Sequence, residues 1–141
     1  MIFLAYGVFG LIGLATRPIE ARIGLNALLS AIFAAFAASL VLTGLWPGDW
    51  PSVVAAAGLH GAAVMTISAV LSFWSLRLFP GRGSFGFTAA LIAAAAGSVI
   101  GPAAAGPLLT GLGPGVAFIA MAGPSALVAF ACVGRRARAC A

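Results

Sequence analysis

LIAAAAGSVIGPAAAGPLLTGL, residues 91–112, carries no charge, and at about 1.5 Å per helical residue it is long enough to cross a hydrocarbon core of roughly 30 Å. Within it Gly97 and Gly101 fall on one helix face, where the missing side chains let a neighbouring backbone approach closely. Pro102 and Pro107 each remove a backbone donor, which loosens a helix and is tolerated in lipid only where neighbours or a cavity satisfy the freed carbonyls. The stretch therefore predicts a packed, kinked intramembrane helix with close neighbours.

The rest of the chain has the same character. With 63% hydrophobic and 6% charged residues it departs far from the roughly 25% charge of soluble domains, and the composition is that of an integral membrane protein. A net charge of +5 would suit a nucleic-acid partner only if the basic residues formed a face. They do not: Arg17, Arg22, Arg77, Arg82, Arg135, Arg136 and Arg138 all sit at the edges of apolar runs, which argues against nucleic acid.

The apolar runs predict an all-α, polytopic membrane protein with five transmembrane helices in a single domain, at residues 1–16, 24–45, 53–76, 85–112 and 116–134. The first is marginal, because spanning needs about 20 residues. It lacks the basic start and small-residue cleavage site of a signal peptide and reads as a mature helix that has lost a turn or more. Residues 17–22 form a loop, Trp46, Pro47, Gly48, Asp49, Trp50 and Pro51 a headgroup-level turn, and Gly113, Pro114 and Gly115 a minimal one. The segments after the first and third spans, together with the tail 135–141, hold all seven basic residues, and the other two connections hold none. The positive-inside rule then sets the N-terminus outside and the C-terminus in the cytoplasm, in a membrane expected to be the bacterial inner (plasma) membrane. Cys132 and Cys140 fall on the cytoplasmic side, where no disulfide is expected, and Cys140 is too near the end for a prenylation box.

Few side chains offer chemistry. His60 is the one ionisable group well inside a span, a position that marks a substrate or proton pathway or else a neutral imidazole hydrogen-bonded to an adjacent helix. Asn26, Ser30, Ser39 and Thr43 follow the second span, either lining a path or bonding backbone carbonyls and bridging helices. Tyr6 fits an interfacial or packing role. Gly61, Met65, Ser68, Ser72 and Ser75 share one face of the third span, which should pack on protein. Glu20 and Asp49 lie on opposite sides and cannot act as an acid/base pair; Glu20 reads as part of a charge cluster with Arg17 and Arg22. This inventory supplies no catalytic set and no metal site, so neither an enzyme nor a cofactor is expected.

Gly97, Gly101, Pro102, Ala105 and Gly106 resemble the glycine-proline signature (GxxxGPxxGG) of antiporters in the major facilitator superfamily, with Ala105 in place of a glycine. The segment Ala21-Arg22-Ile23-Gly24-Leu25-Asn26 is similar to that family's cytoplasmic loop motif (DRxGRR) at Arg22 and Gly24, while Ala21, Leu25 and Asn26 depart from it. The run from Arg77 through Pro80, Gly81, Arg82 and Gly83 to Ser84 looks like the loop between the family's tenth and eleventh helices.

The resemblance covers nearly the whole chain and implies helices eight to twelve of the family's twelve, part of its C-terminal six-helix half. It implies a fragment of a secondary-active permease or efflux carrier for a small organic solute, coupled to protons or another ion, working by rocking two halves about a midplane site. The partners would be the lipid bilayer and the missing N-terminal half or another subunit. His60 and Asn26 would be pathway residues, and the glycine-proline helix a gating or packing element. Arg17, Glu20, Arg22 and Gly24 would form the loop motif. A non-transporting membrane scaffold or accessory subunit, or a degraded transporter gene, is the alternative.

Overall fold

The computed structural model describes residues 2–11, 13 and 16–139 and is helical nearly throughout, with no strand among the described residues. In chain order the helices are α1 (Ile2–Gly10), α2 (Thr16–Ile23), α3 (Leu25–Leu45), α4 (Trp50–Leu78), α5 (Gly83–Leu112) and α6 (Pro114–Ala139). Four of them, α3 to α6, are long and apolar enough to cross a membrane. This is the architecture of a polytopic membrane protein.

The N-terminal segment departs most from the expected single span over 1–16. α1 is only nine residues, about 13 Å of helix, well short of a bilayer core. The residues read as a loop, 17–22, belong to α2. At the start of α2 the fully buried Thr16 donates its hydroxyl to the Gly13 carbonyl at 2.6 Å. Pro18 then stands in the first turn, where no intrahelical donor is needed. Gly24, at φ 80°, separates α2 from α3 in a conformation that favours glycine. Met1 and Cys140 lie outside the described residues, as do the side chains of Arg135, Arg136 and Arg138. The backbone of α6 nevertheless continues to Ala139, past the end at Gly134 expected for the last span.

α4 begins at Trp50, three residues before the expected Val53, because Asp49 caps it. The Asp49 carboxylate accepts from the Ser52 backbone N–H at 3.2 Å and from the Ser52 hydroxyl at 2.5 Å, with Pro51 in the first turn. Gly113, at φ 82°, is the whole connection between α5 and α6.

Glycines decide which helices pair. The α3–α6 contact closes at Gly44 and Gly115: a Cβ on Gly44 would lie 2.8 Å from the Gly115 carbonyl oxygen, and one on Gly115 would lie 2.9 Å from that of Gly44. At the other end of the same antiparallel contact, the Ser30 hydroxyl donates to the Ala129 carbonyl at 3.1 Å. α1 lies on α4, where the Tyr6 backbone crosses Gly61 and Met65 fits against Gly10 and Gly13. Between α3 and α4 the packing is apolar, around Leu28, Ile32, Ala63 and Val70.

The expected packed face of α4 is divided. Gly61 is buried under α1, Ser75 is buried beside the start of α5, and Ser68 and Ser72 between them are half-buried and donate to carbonyls of their own helix. Met65, though it touches α1, stays 44% exposed.

α5 corrects a second expectation. It runs as one helix through Pro102 and Pro107, but the close neighbours expected for its glycine face are missing among the described residues. No atom lies within 4 Å of where a Cβ would stand on Gly97, Gly101 or Gly106, and residues 91–100 are exposed without a break. The reason is the pairing of α6 with α3. α5 is held to α4 only at its first turns, where Ser75 donates to the Gly83 carbonyl at 2.6 Å and Phe79 meets Phe85 edge-on at 5.9 Å. Towards its far end, where Ala105 is buried, it packs on α6 and joins it through Gly113.

This packing predicts opposite responses to the same substitution. Gly44→Ala should destabilise the helix bundle by about 1–3 kcal/mol, because backbone must shift to make room. Gly97→Ala and Gly101→Ala should leave stability unchanged or raise it by up to about 1 kcal/mol through helix propensity. Unfolding in mixed micelles of increasing SDS fraction measures all three.

Candidate functional site

His60, the one histidine of the sequence, lies on α4 where α1 and α3 both approach. Phe36 of α3 presents its ring edge-on at a centroid distance of 5.1 Å, and Tyr6 of α1 lies at 6.2 Å. Ser39 of α3 brings its hydroxyl to 3.4 Å from His60 Nδ1.

Ser39 has one hydroxyl proton, and it is donated to the Phe36 carbonyl at 2.8 Å. With that proton placed on its own helix, the Ser39 oxygen is free to accept from the imidazole, which corresponds to the tautomer with the hydrogen on Nδ1. Nε2 is then left with a lone pair and, among the described residues, no hydrogen-bond partner. A cavity of about 340 Å³ opens beside the ring, lined by Tyr6, Ser39, Thr43, His60 and, from α6, Phe118. No acid or base other than His60 and the Tyr6 phenol lines it. The arrangement can take up and release a proton at Nε2 next to a small, mostly apolar space. It holds no second group for covalent or hydrolytic chemistry.

The structure separates the two pathway candidates. Asn26 is exposed near the start of α3 and lines a different groove, with Trp74 and Phe79. His60 instead joins Ser39 and Thr43, which the sequence singled out only as hydroxyls along the same helix. Phe36 carried no signal, because its partnership with His60 depends on the register of α3 against α4.

The hydroxyls resolve in favour of backbone bonding. Thr43 donates to the Ser39 carbonyl at 2.9 Å, Thr66 to Ala62 at 2.7 Å, and Ser30 bridges to α6. No buried side-chain nitrogen or oxygen among the described residues is left without a partner.

The loop-motif residues gather differently from the expected cluster. Arg17, Glu20 and Arg22 lie on α2 and Gly24 follows it. Glu20 is half-buried and meets Arg77 at the end of α4, at 3.6 Å, rather than its neighbours in sequence. Arg77 is 71% exposed, so the pair is worth under about 1 kcal/mol. Its value is geometric, because it places α2 and the α4–α5 connection at the same end of the bundle. Of the glycine-proline residues, Ala105 is buried, Gly101 and Gly106 are half-buried, and Gly97 and Pro102 are exposed. They lie far along the chain from the His60 cavity and none lines it. Among the described residues no group of three His, Cys, Asp or Glu side chains comes together.

The fold and site thus define a helical membrane protein with one interior histidine at a small cavity. No family model, curated protein or solved structure matches the chain.

The hydrogen-bond assignment has a direct consequence. Ser39→Ala removes the acceptor that holds Nδ1–H, at a stability cost of about 1 kcal/mol. The variant should shift His60 toward the Nε2–H tautomer, read from the imidazole ¹⁵N chemical shifts of histidine-labelled protein in micelles.

Proposed function

We propose that this chain serves transmembrane transport, as part of a secondary-active permease or efflux carrier of the major-facilitator kind for a small organic solute. The observation that carries the reading is His60: an imidazole with a free Nε2 lone pair beside a cavity between helices suits proton coupling. The groups facing it are the Tyr6 phenol from α1, the Ser39 hydroxyl and Phe36 ring from α3, and Phe118 across the cavity from α6. None of these is a carboxylate or a cation, so the charge state of the site is set by His60 itself.

A cavity of this size is small for a solute pathway, and the glycine-proline face of α5 is uncovered. Both features favour a transporter in which further helices complete the path, either the other half of a carrier or another subunit. The membrane orientation we propose, N-terminus outside and C-terminus cytoplasmic in a bacterial plasma membrane, is supported by the basic end of the bundle. There Arg77 at the end of α4 meets Glu20 of α2, the short helix that also carries Arg17 and Arg22, and Arg82 precedes α5.

One observation favours a second reading, a non-transporting scaffold or accessory subunit. Most hydroxyls within the helices donate to backbone carbonyls of their own helix instead of facing a path. The two readings part in everted membrane vesicles loaded with a pH-sensitive dye and challenged with a panel of organic cations, sugars and organic acids. A carrier gives solute-dependent proton movement, and His60→Ala flattens its dependence on pH. Movement with an unchanged pH profile in His60→Ala returns the histidine to a packing role, and no movement with any solute favours the scaffold.

A further inference from the structure

A second cavity, of about 430 Å³, lies at the opposite end of α4 from its Asp49 cap and falls in the range of roughly 300–1,000 Å³ usual for small-molecule sites. Its walls are hydrocarbon: Leu25 and Leu29 from α3, Leu71 and Trp74 from α4, and Phe79 where α5 begins. Asn26 and Ser75 are the polar groups of its lining, and the Ser75 proton is already committed to Gly83.

Arginines flank the lining residues of this groove in sequence. Arg77 precedes the lining residues Leu78 and Phe79, and Arg82 caps α5 and donates its backbone N–H to Phe79 at 3.0 Å. Arg22 sits in the last turn of α2, just before the lining residue Leu25. Against these stands Glu20 alone, half-buried and 3.6 Å from the exposed Arg77. Arg22 and Arg82 have no carboxylate within salt-bridge distance among the described residues. A hydrocarbon groove flanked in sequence by three arginines against one carboxylate, at the end of helices long enough to cross a membrane, matches a ligand with an apolar chain and an anionic head. The opposite end of the bundle has no such match, since its loop carries only Asp49.

We propose that the groove between α3 and α4 is a docking site for an anionic phospholipid, its acyl chain along Leu29, Leu71 and Trp74 and its phosphate between Arg77 and Arg82. Asn26 donates to the ester or phosphate oxygens. The lipid phosphate competes with Glu20 for Arg77, so occupancy loosens the tie between α2 and α4. The inference rests on the membrane reading of the helices and is independent of transport.

Trp74 reports on the groove directly. In a Trp46→Phe/Trp50→Phe background it is the sole tryptophan, and the full chain is reconstituted in phosphatidylcholine vesicles containing either dibrominated phosphatidylglycerol or dibrominated phosphatidylcholine. The expected result is quenching by phosphatidylglycerol at about one-fifth the lipid fraction needed for phosphatidylcholine, the effect of roughly one effective arginine. In Arg77→Gln/Arg82→Gln that preference should fall to about onefold, with helix content by circular dichroism unchanged. In Arg135→Gln/Arg136→Gln/Arg138→Gln it should persist, which separates the groove from general attraction to a basic protein. Equal quenching by both lipids in the parent overturns the proposal, as does a preference that survives loss of Arg77 and Arg82. So does the absence of quenching by either lipid, which means that protein fills the groove. Abolition of the preference by millimolar inorganic phosphate also overturns it, by showing a free-anion site instead of a lipid site.

Discussion

Helices surrounded by hydrocarbon gain nothing by hiding apolar side chains from water, so their association rests on how closely their backbones can approach. In this chain that condition is met where the Tyr6 backbone crosses Gly61 and, between α3 and α6, where Gly44 and Gly115 face each other. The second contact joins the first and last of the long helices and fixes much else. With α6 occupied by α3, α5 is left on the outside, tied at its two ends. α3, flanked by α6 and α4, becomes the centre of the bundle. Because α4 also receives α1 across Gly61, the ring of His60 ends up between Phe36 and Tyr6.

The polar groups obey the same economy. A hydroxyl inside an apolar bundle must find an acceptor, and here the nearest one is usually a carbonyl three or four residues back on the same helix. Such bonds satisfy the group without adding cohesion between helices. Ser30, which reaches the Ala129 carbonyl, and Ser75, which reaches Gly83, are the exceptions, and each marks a place where two helices are held in register. Ser39 does both, satisfying its own helix while orienting the one imidazole.

Much of the architecture could be read from composition. The long apolar runs and the turn at Gly113 are local properties, and α3 to α6 fall within a few residues of where hydrophobicity alone places them. The misplacements have physical causes. Residues 17–22 look like a loop because they are charged, yet they are helical, with Pro18 in a first turn where no intrahelical donor is needed. The glycines of α5 look like a contact face because glycine permits close approach, but permission is not attraction. Which of several glycine faces is used depends on pairings between distant segments, and Gly44 and Gly115 carried no stronger local signal than Gly97 and Gly101. The candidate site shows the same division. His60 stood out as the one interior ionisable group, whereas its distance from Asn26 and its contact with Ser39 follow from the register of α3 against α4.

The pairing of α3 with α6 also sets an order of assembly. The face of α3 that carries Gly44 has its partner at the far end of the chain, some 70 residues later. During synthesis α4 and α5 emerge while that face is still uncovered, and the bundle closes only once residues beyond Gly115 have left the ribosome. α3–α4 is therefore the local nucleus, and α6 is a late clasp whose arrival must not be pre-empted by α5, its nearer neighbour in sequence. The glycines of α5 offer Gly44 of α3 a wrong partner while α6 is still being made. The single-residue turn at Gly113 limits that hazard by letting α6 fold back as soon as it is made.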